Sequence, residues 1–460
     1  MAITQRVTIL GGGPVGALLA SYLGRRGYHV TLYERRPDLR SQDVGGGRSI
    51  NLACSDRGWL ALERVGIAET VRRSAIPMRG RMLHAEDGQL TFLPYGFDGQ
   101  AIYAISRTLL NKHLLDFAAR QPQVELHFEQ RALSVDFQRH QLRLCDERSG
   151  ERRTIDVDRL IGADGAFSAL RESMRRQDRF DYSQHYVSHG YKELAIPPGP
   201  DGDFALDPHA LHIWPRGGYM LIALPNADRS FTATLFMPFE GARASFAEVA
   251  DAAALERLFA QSFADVPALI PNLTEQFFDN PTSSLVTVRC SPWVRDGRYA
   301  LIGDAAHAVV PFYGQGMIAG FEDCRVLDEC LTEAGDDWAQ ALAAYQSARK
   351  PNGDAIADLA LDNFIEMRDL VRTPGFQLRR RIERRLHQLL PQRFTPLYSM
   401  VTFSHLPYAE ARRRGQLQAA MLDALAAEEG IEELLDSEQF MPLAEQAVAK
   451  LESMSSARSK

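Results

Sequence analysis

Residues 7–35 read VTILGGGPVGALLASYLGRRGYHVTLYER. The run predicts a buried strand, a G-x-G-x-x-G turn, a helix and a second strand that ends at an acidic residue. Such a β-α-β unit binds dinucleotides with the pyrophosphate at the helix N-terminus. Gly11 permits the tight turn, Gly13 lets the backbone approach the pyrophosphate, and Gly16 lets the helix pack on the strand. Glu34, at the end of the second strand, would accept a hydrogen bond from a ribose hydroxyl.

Length and composition narrow the class of protein. The 460 residues can form two or three domains, and 45% apolar with 24% charged residues is typical of a soluble protein. A net charge of −7 gives no basic surface for nucleic acid, and no zinc-like spacing appears, so neither partner is expected. The five scattered cysteines fit reduced thiols in the cytoplasm. Residues 7–24 carry no charge, but their clustered glycines would break a membrane-spanning helix, so we expect no membrane anchor.

Two further segments end a buried strand at an acidic turn. Residues 160–171 read LIGADGAFSALR, in which Asp164 follows an apolar strand and precedes a helix. Residues 299–323 read YALIGDAAHAVVPFYGQGMIAGFED, in which Asp304 ends a strand and the turn at Gly316 opens a long helix. The first N–H groups of that helix are free to bind a ligand. Taken singly, each segment is a strand-turn-helix common in α/β proteins.

The spacing of apolar residues divides the rest of the chain into strand and helix regions. Residues 124–145 alternate as a meander of strands, and residues 189–238 predict an antiparallel sheet inserted into the α/β framework. From residue 337 onward the pattern is helical. The glycine-rich loop that contains Arg48 and leads to Asn51 is either a surface loop or a segment that lies against the cofactor.

Together the three nucleotide motifs, in this order and at these intervals, resemble the single-component flavoprotein aromatic hydroxylases. Three separated motifs are more specific than any one of them. The likeness extends over nearly the whole chain and is closest to the members that hydroxylate L-kynurenine at position 3. It is carried by residues 47–53, 78–82, 94–96, 179–184, 189–191, 211–216, 231–239, 310–317, 363–367 and 396–403.

The resemblance implies an α/β fold with a Rossmann-type FAD-binding domain, an inserted antiparallel β-sheet domain for the substrate, and a C-terminal helical region. The expected FAD-binding domain is discontinuous and comprises residues 1–75, 100–180 and 290–370. The expected substrate domain comprises residues 76–99 and 181–289, and the helical region comprises residues 371–460.

The resemblance also assigns roles toward FAD. Glu34 would bind the adenosine ribose, Arg107 the pyrophosphate, and Asp304 the ribityl side. The helix start at Met317 and Ile318 would lie at the N1–C2=O edge of the flavin, where its dipole and N–H groups favour the anionic reduced form. The remaining implied FAD-binding residues are Gly11, Gly13, Val15, Gly16, Arg35, Ala53, Ala132, Asp164 and Gly316.

On the substrate side, the resemblance implies that Arg81 and Tyr95 hold the carboxylate of L-kynurenine, with Asn363 and Tyr398 completing the pocket. An arginine suits this role because its guanidinium binds a carboxylate through two parallel hydrogen bonds.

Three departures from the family pattern stand out. Ile318 replaces the usual Asn, which removes a side-chain hydrogen bond but leaves the backbone contacts. Cys54 replaces the usual Leu, which we interpret as a packing difference. We find no segment that resembles the membrane-anchoring tail of the mitochondrial members, so we expect a protein similar to the soluble bacterial members.

The resemblance implies an NADPH- and O2-dependent hydroxylation through a flavin C4a-hydroperoxide. The cofactor carries that chemistry, so no catalytic acid or base is assigned. The alternatives are a hydroxylase of another aromatic acid, a flavoprotein reductase or oxidase that makes no oxygenated product, and a non-catalytic nucleotide-binding protein. FAD takes the one glycine fingerprint, so the sequence does not indicate where NADPH docks, and it does not indicate an oligomeric state.

Overall fold

The computed structural model describes residues 5–41, 51–96, 99–241, 244–370 and 373–457. The glycine-rich loop with Arg48 lies outside these residues. The strands, in chain order, are β1 (Arg6–Leu10), β2 (His29–Tyr33), β3 (Asn51–Cys54), β4 (Ile76–Met78), β5 (Gly80–His84), β6 (Leu90–Pro94), β7 (Ile102–Ser106), β8 (Val124–His127), β9 (Gln130–Asp136), β10 (Gln141–Asp146), β11 (Arg152–Asp156), β12 (Leu160–Gly162), β13 (Asp181–Ile196), β14 (Ala210–Pro215), β15 (Met220–Pro225), β16 (Phe231–Pro238), β17 (Ser283–Ser291), β18 (Val294–Arg295) and β19 (Tyr299–Leu301).

The helices are more numerous toward the C-terminus. They are α1 (Pro14–Arg25), α2 (Asp56–Val65), α3 (Ala68–Arg72), α4 (Arg107–Ala119), α5 (Ala169–Arg175), α6 (Ala252–Ser262), α7 (Val266–Leu269), α8 (Leu273–Asp279), α9 (Asp304–His307), α10 (Gly316–Glu333), α11 (Trp338–Ile365), α12 (Pro374–Leu389), α13 (Leu397–Thr402), α14 (Tyr408–Ala426), α15 (Ile431–Leu434) and α16 (Phe440–Ala457). Within the described ranges, no helix is long and apolar enough to cross a membrane.

The N-terminal strand lies inside a six-stranded sheet with the order β18-β19-β12-β1-β2-β8. All its pairs are parallel except β18 with β19. Both faces are covered, which explains why every residue of β1 and β12 except Arg6 is buried. The predicted meander over residues 124–145 is wrong at its start: β8 pairs in parallel with β2, and the antiparallel sheet comprises β9, β10 and β11.

A seven-stranded sheet with the order β17-β13-β16-β15-β14-β5-β6 forms the second layer. Its pairs are antiparallel except β14 with β5, which are parallel and far apart in sequence. Successive side chains of each strand point to opposite faces of this sheet, so the two faces contact different parts of the protein. Trp214, Leu221 and Leu235 pack on α6 to α8, whereas Met220 and Phe236 face the loop after α9.

The C-terminal helices contact both layers. The long helix α11 packs on α13 and α14 through Ile356, Leu359, Met400 and Val401, and Ala319 of α10 joins the same cluster. A separate apolar cluster holds α12, α14, α15 and α16 together. The predicted fold class, a Rossmann-type α/β unit with an inserted β-sheet and a helical C-terminal region, is therefore confirmed.

Candidate active site

The three nucleotide motifs meet at one edge of the parallel sheet. Leu10 at the end of β1 pairs with Gly162 of β12, and Gly162 pairs with Leu301 of β19. The turns that follow these three strands therefore emerge side by side, where open α/β sheets bind their ligands. Gly11 has φ +98°, and a Cβ on it would lie 2.5 Å from the Ala163 carbonyl oxygen, so the glycine turn packs directly on the turn of Asp164.

The first turn of α1 is equally close to its neighbours. A Cβ on Gly16 would lie 2.0 Å from the Gly11 carbonyl oxygen, and a Cβ on Gly320 of α10 would lie 2.5 Å from Val15. A Cβ on Gly13 would meet nothing within 4 Å. The turn is thus closed on the protein side and open at Gly13, which fits a pyrophosphate that approaches the N-terminus of α1.

Glu34 is held beside the glycine turn. Its carboxylate accepts hydrogen bonds from Gly12 N at 2.7 Å and from Arg36 N at 2.9 Å, and it is 6% exposed. Arg35, the next residue, is exposed. The sequence-predicted ribose acceptor therefore lies at the expected edge of the sheet.

A cavity of about 310 Å³ opens between the parallel sheet and the seven-stranded sheet. Ala53, Arg107 and Asp304 all line it, so residues from three elements of the predicted FAD site converge there. Arg107 begins α4, whose N-cap Ser106 accepts a hydrogen bond from Leu109 N at 3.4 Å. Burial raises the pKa of Asp304, and the Arg107 guanidinium opposes that rise.

Asp164 has a different local role from Asp304. One carboxylate oxygen accepts a hydrogen bond at 2.7 Å from the N–H of Ala169, the first residue of α5, while the other oxygen has no partner among the described residues. Burial raises the pKa of Asp164. Ala166 of the same turn lines the cavity. Ala132, also predicted to bind FAD, lies in β9 and packs against the core of the parallel sheet.

The start of α10 supplies free backbone N–H groups at Gly316 and Met317. The Ile318 side chain is fully buried. A Cβ on Gly58 of α2 would lie 2.6 Å from Ile318 Cδ1 and 2.8 Å from Cys54 Sγ. Ile318 and Cys54, the two side chains that depart from the family pattern, therefore pack over the same glycine.

Arg81 lines the cavity beside two stacked tyrosine rings. Its guanidinium carbon is 5.4 Å from the Tyr95 ring centroid and 5.1 Å from that of Tyr398. The two rings stack on each other with centroids 5.4 Å apart. Among the described residues, Arg81 Nε and the Tyr95 hydroxyl have no hydrogen-bond partner. Burial raises the pKa of both tyrosines, so both phenols stay protonated and can donate.

Asn363 stands apart from these three residues. It lines a neighbouring cavity of about 170 Å³ and donates from Nδ2 to the Phe312 carbonyl oxygen at 2.6 Å. Tyr313 and Tyr398 line both cavities, and their stacked rings, 5.6 Å apart, stand between Arg81 and Asn363.

Sequence reasoning did not identify the apolar walls of the large cavity. They come mainly from alternate positions on β14, β15 and β16, which one face of the sheet presents to the cavity. The period-2 pattern of those strands was the available signal. These wall residues are Leu211, Met220, Ile222, Leu224, Thr234 and Phe236.

The fold and the three converging motifs define an FAD-binding protein, and the family described as FAD binding domain matches residues 4–360. Kynurenine 3-monooxygenase from Flavobacterium psychrophilum is 47% identical over 440 residues, which cover 96% of this chain and 98% of that protein. The chain belongs to the kynurenine 3-monooxygenase family of FAD-dependent monooxygenases, and the predicted family and FAD cofactor are confirmed. The relative of the same name from Myxococcus xanthus is 48% identical over 91% of this chain and 90% of its own length. The relative from Anopheles gambiae is 44% identical over 88% of this chain and 83% of its own length.

Solved structures share the fold at lower identity. The tetrameric form of 2-methyl-3-hydroxypyridine-5-carboxylic acid oxygenase superposes with a TM-score of 0.66 at 21% identity, covering 82% of this chain and 96% of that one. Pseudomonas aeruginosa PqsL in complex with 2-aminobenzoylacetate superposes with a TM-score of 0.64 at 23% identity, covering 81% of this chain and 99% of that one. At these identities the likeness extends to the architecture alone.

Proposed function

We propose that this chain hydroxylates L-kynurenine at position 3 with FAD, NADPH and O2. One observation carries the assignment: Arg81 forms no ion pair with any described residue and lines a cavity with largely apolar walls. A partly enclosed guanidinium without an anion is costly unless a ligand supplies one. An aromatic amino acid fits both features, because its carboxylate can pair with Arg81 while its ring lies against the apolar walls.

Two tyrosines support that carboxylate site. Tyr95 and Tyr398 are neutral phenols, so each can donate one hydrogen bond to a carboxylate oxygen without competing for the Arg81 charge. Their stacked rings hold the guanidinium through cation–π contacts and limit its rotamers. We propose that Asn363 acts on this site from the neighbouring cavity, next to Tyr398.

On the cofactor side, the open glycine turn, Glu34, Arg107 and Asp304 fit an FAD molecule laid along the edge of the parallel sheet. When bound, FAD reduced by NADPH supplies the activation of O2 for transfer to the ring. The N-terminus of α10 offers N–H groups and the positive end of its dipole to negative charge on the flavin. The apolar walls keep water away from the reacting ring. We infer no acid or base among the side chains of the cavity.

NADPH has no second glycine fingerprint in this sequence, so we propose that it reaches the flavin transiently. The five cysteines are all free and buried, which supports the cytoplasm as the proposed compartment.

The assignment is tested with the purified holoenzyme, NADPH and a panel of aromatic amino acids and aromatic acids, with products identified by mass. L-Kynurenine should be the preferred substrate and 3-hydroxykynurenine its product. Faster turnover of another aromatic acid would replace the substrate assignment, and NADPH oxidation without any oxygenated product would replace the reaction.

A further inference from the structure

Four charged side chains form a buried ionic chain outside the residues assigned to cofactor and substrate: Asp323, Arg349, Glu322 and Arg57. Arg349 donates from Nε to Asp323 at 2.6 Å and from Nη1 to Glu322 at 2.8 Å. Arg57 donates from Nη1 to the other oxygen of Glu322 at 3.1 Å. None of the four side chains is more than 4% exposed. Arg325, whose side chain is 15% exposed, also donates to Glu322 at 3.4 Å, so three arginines compensate the two buried anions.

One end of the ionic chain holds the turn that carries Asp304. Asp323 Oδ2 accepts hydrogen bonds from Gly303 N at 3.0 Å and from His307 Nε2 at 2.5 Å. These two groups flank Asp304, which is thereby fixed from both sides.

The other end holds the C-terminal helices. Arg57, on α2, donates from Nε to the Val401 carbonyl oxygen at 2.8 Å and from Nη2 to that of Met400 at 3.1 Å, and it also reaches the carbonyl of Leu406. The Tyr408 ring lies 4.2 Å from the guanidinium carbon. The last carbonyls of a helix have no partner within the helix, so Arg57 acts as a buried cap for α13.

The helix that Arg57 caps is the one that presents Tyr398 to the cavity. A helix of six residues forms few hydrogen bonds of its own, so its position depends on its anchors. We propose that Arg57 is a positioning residue for Tyr398: by capping α13 from α2, it fixes the phenol beside Arg81 and so sets the affinity for the substrate carboxylate. This inference rests on the proposed function.

A double-mutant cycle separates positioning from general stability. Tyr398→Phe removes one hydroxyl and should raise KM for L-kynurenine about 3- to 10-fold, the worth of one hydrogen bond. Arg57→Lys keeps the charge opposite Glu322 but cannot reach three carbonyls, so it should raise KM by a similar factor with kcat little changed. Because both changes act through the same hydroxyl, the double variant should have the KM of Tyr398→Phe alone.

A matched control and a second readout complete the test. Arg72→Lys, on the adjacent helix α3 where Arg72 is 40% exposed and pairs with Glu63 at 2.6 Å, should leave KM unchanged. Hydrogen exchange of amides within 397–407 should be faster in Arg57→Lys than in wild type. If Arg57→Lys does not fold, Glu322→Gln can replace it, because this change weakens the same anchor. It should raise KM by a smaller factor in the wild-type background and should cause no further rise in the Tyr398→Phe background.

The proposal is overturned if the double variant raises KM by the product of the factors for Arg57→Lys and Tyr398→Phe. It is also overturned if Arg57→Lys changes neither KM nor the amide hydrogen exchange within 397–407. Exchange needs no substrate, so it decides the anchoring of α13 even if the wild-type enzyme fails to hydroxylate L-kynurenine. That failure would reject the proposed function instead.

Discussion

Replacing Arg81 by Ala probes the residue on which the substrate assignment rests. The change removes a pair of charge-assisted hydrogen bonds, which together are worth about 1.5–3 kcal/mol. At roughly 1.4 kcal/mol per factor of ten, the Kd for L-kynurenine should rise about 10- to 150-fold. Arg81→Lys should recover only part of the loss, because an ammonium cannot copy the planar fork that lies beside the Tyr95 and Tyr398 rings.

The assay is a titration of the FAD-loaded enzyme with L-kynurenine, followed by the change in flavin absorbance, so that binding is measured apart from turnover. Arg79→Ala is the matched control, because Arg79 precedes β5 and is exposed. It should bind as wild type does, and all variants should retain equal FAD. A wild-type Kd in Arg81→Ala would mean that another group holds the carboxylate.

Three further outcomes are expected. Asp304→Ala should lower FAD retention during gel filtration roughly tenfold or more, as the loss of a hydrogen bond to a charged group predicts, and unchanged flavin content would remove Asp304 from the site. A kynurenine analogue without the ring amine should fill the Arg81 pocket, stimulate NADPH oxidation and release nearly matching hydrogen peroxide; equally fast oxidation without any ligand would refute substrate gating. Burial alone would raise the pKa of Asp323, but His307 and Arg349 outweigh it and lower the pKa to about 2. An unfolded Asp titrates at about pH 4, so this stabilisation is complete above that pH and is lost as the pH falls toward 2. Urea midpoints should therefore drop between about pH 4 and about pH 2 more steeply in wild type than in Asp323→Asn, and equal slopes would contradict the ion-pair assignment.

The meeting of the nucleotide motifs was predictable from the sequence. Each of Gly11, Asp164 and Asp304 follows a short apolar strand, and the carboxyl ends of parallel strands share one edge of a sheet. The registers of Leu10 with Gly162 and of Gly162 with Leu301 then bring the three turns together. The local sequence pattern and the geometry of a parallel sheet therefore place the three turns at the same edge.

The substrate side was less accessible to sequence reasoning. Periodicity indicates which face of a strand is apolar but not which element covers it, so the walls from β14 to β16 were missed. The position of Asn363 depends on how α11 packs behind the loop at Phe312, a contact between distant segments. β8 was misinterpreted for the same reason: alternation shows a strand, whereas its partner β2 is set by tertiary packing.

The most direct measurement of the central claim follows the oxygen atom. The FAD-loaded enzyme is supplied with NADPH, L-kynurenine and isotopically labelled O2, and product, peroxide and NADPH are quantified together. We predict 3-hydroxykynurenine that carries one labelled oxygen, formed in near-equal amount to the NADPH consumed. NADPH loss matched by peroxide, with L-kynurenine recovered unchanged, would contradict the account.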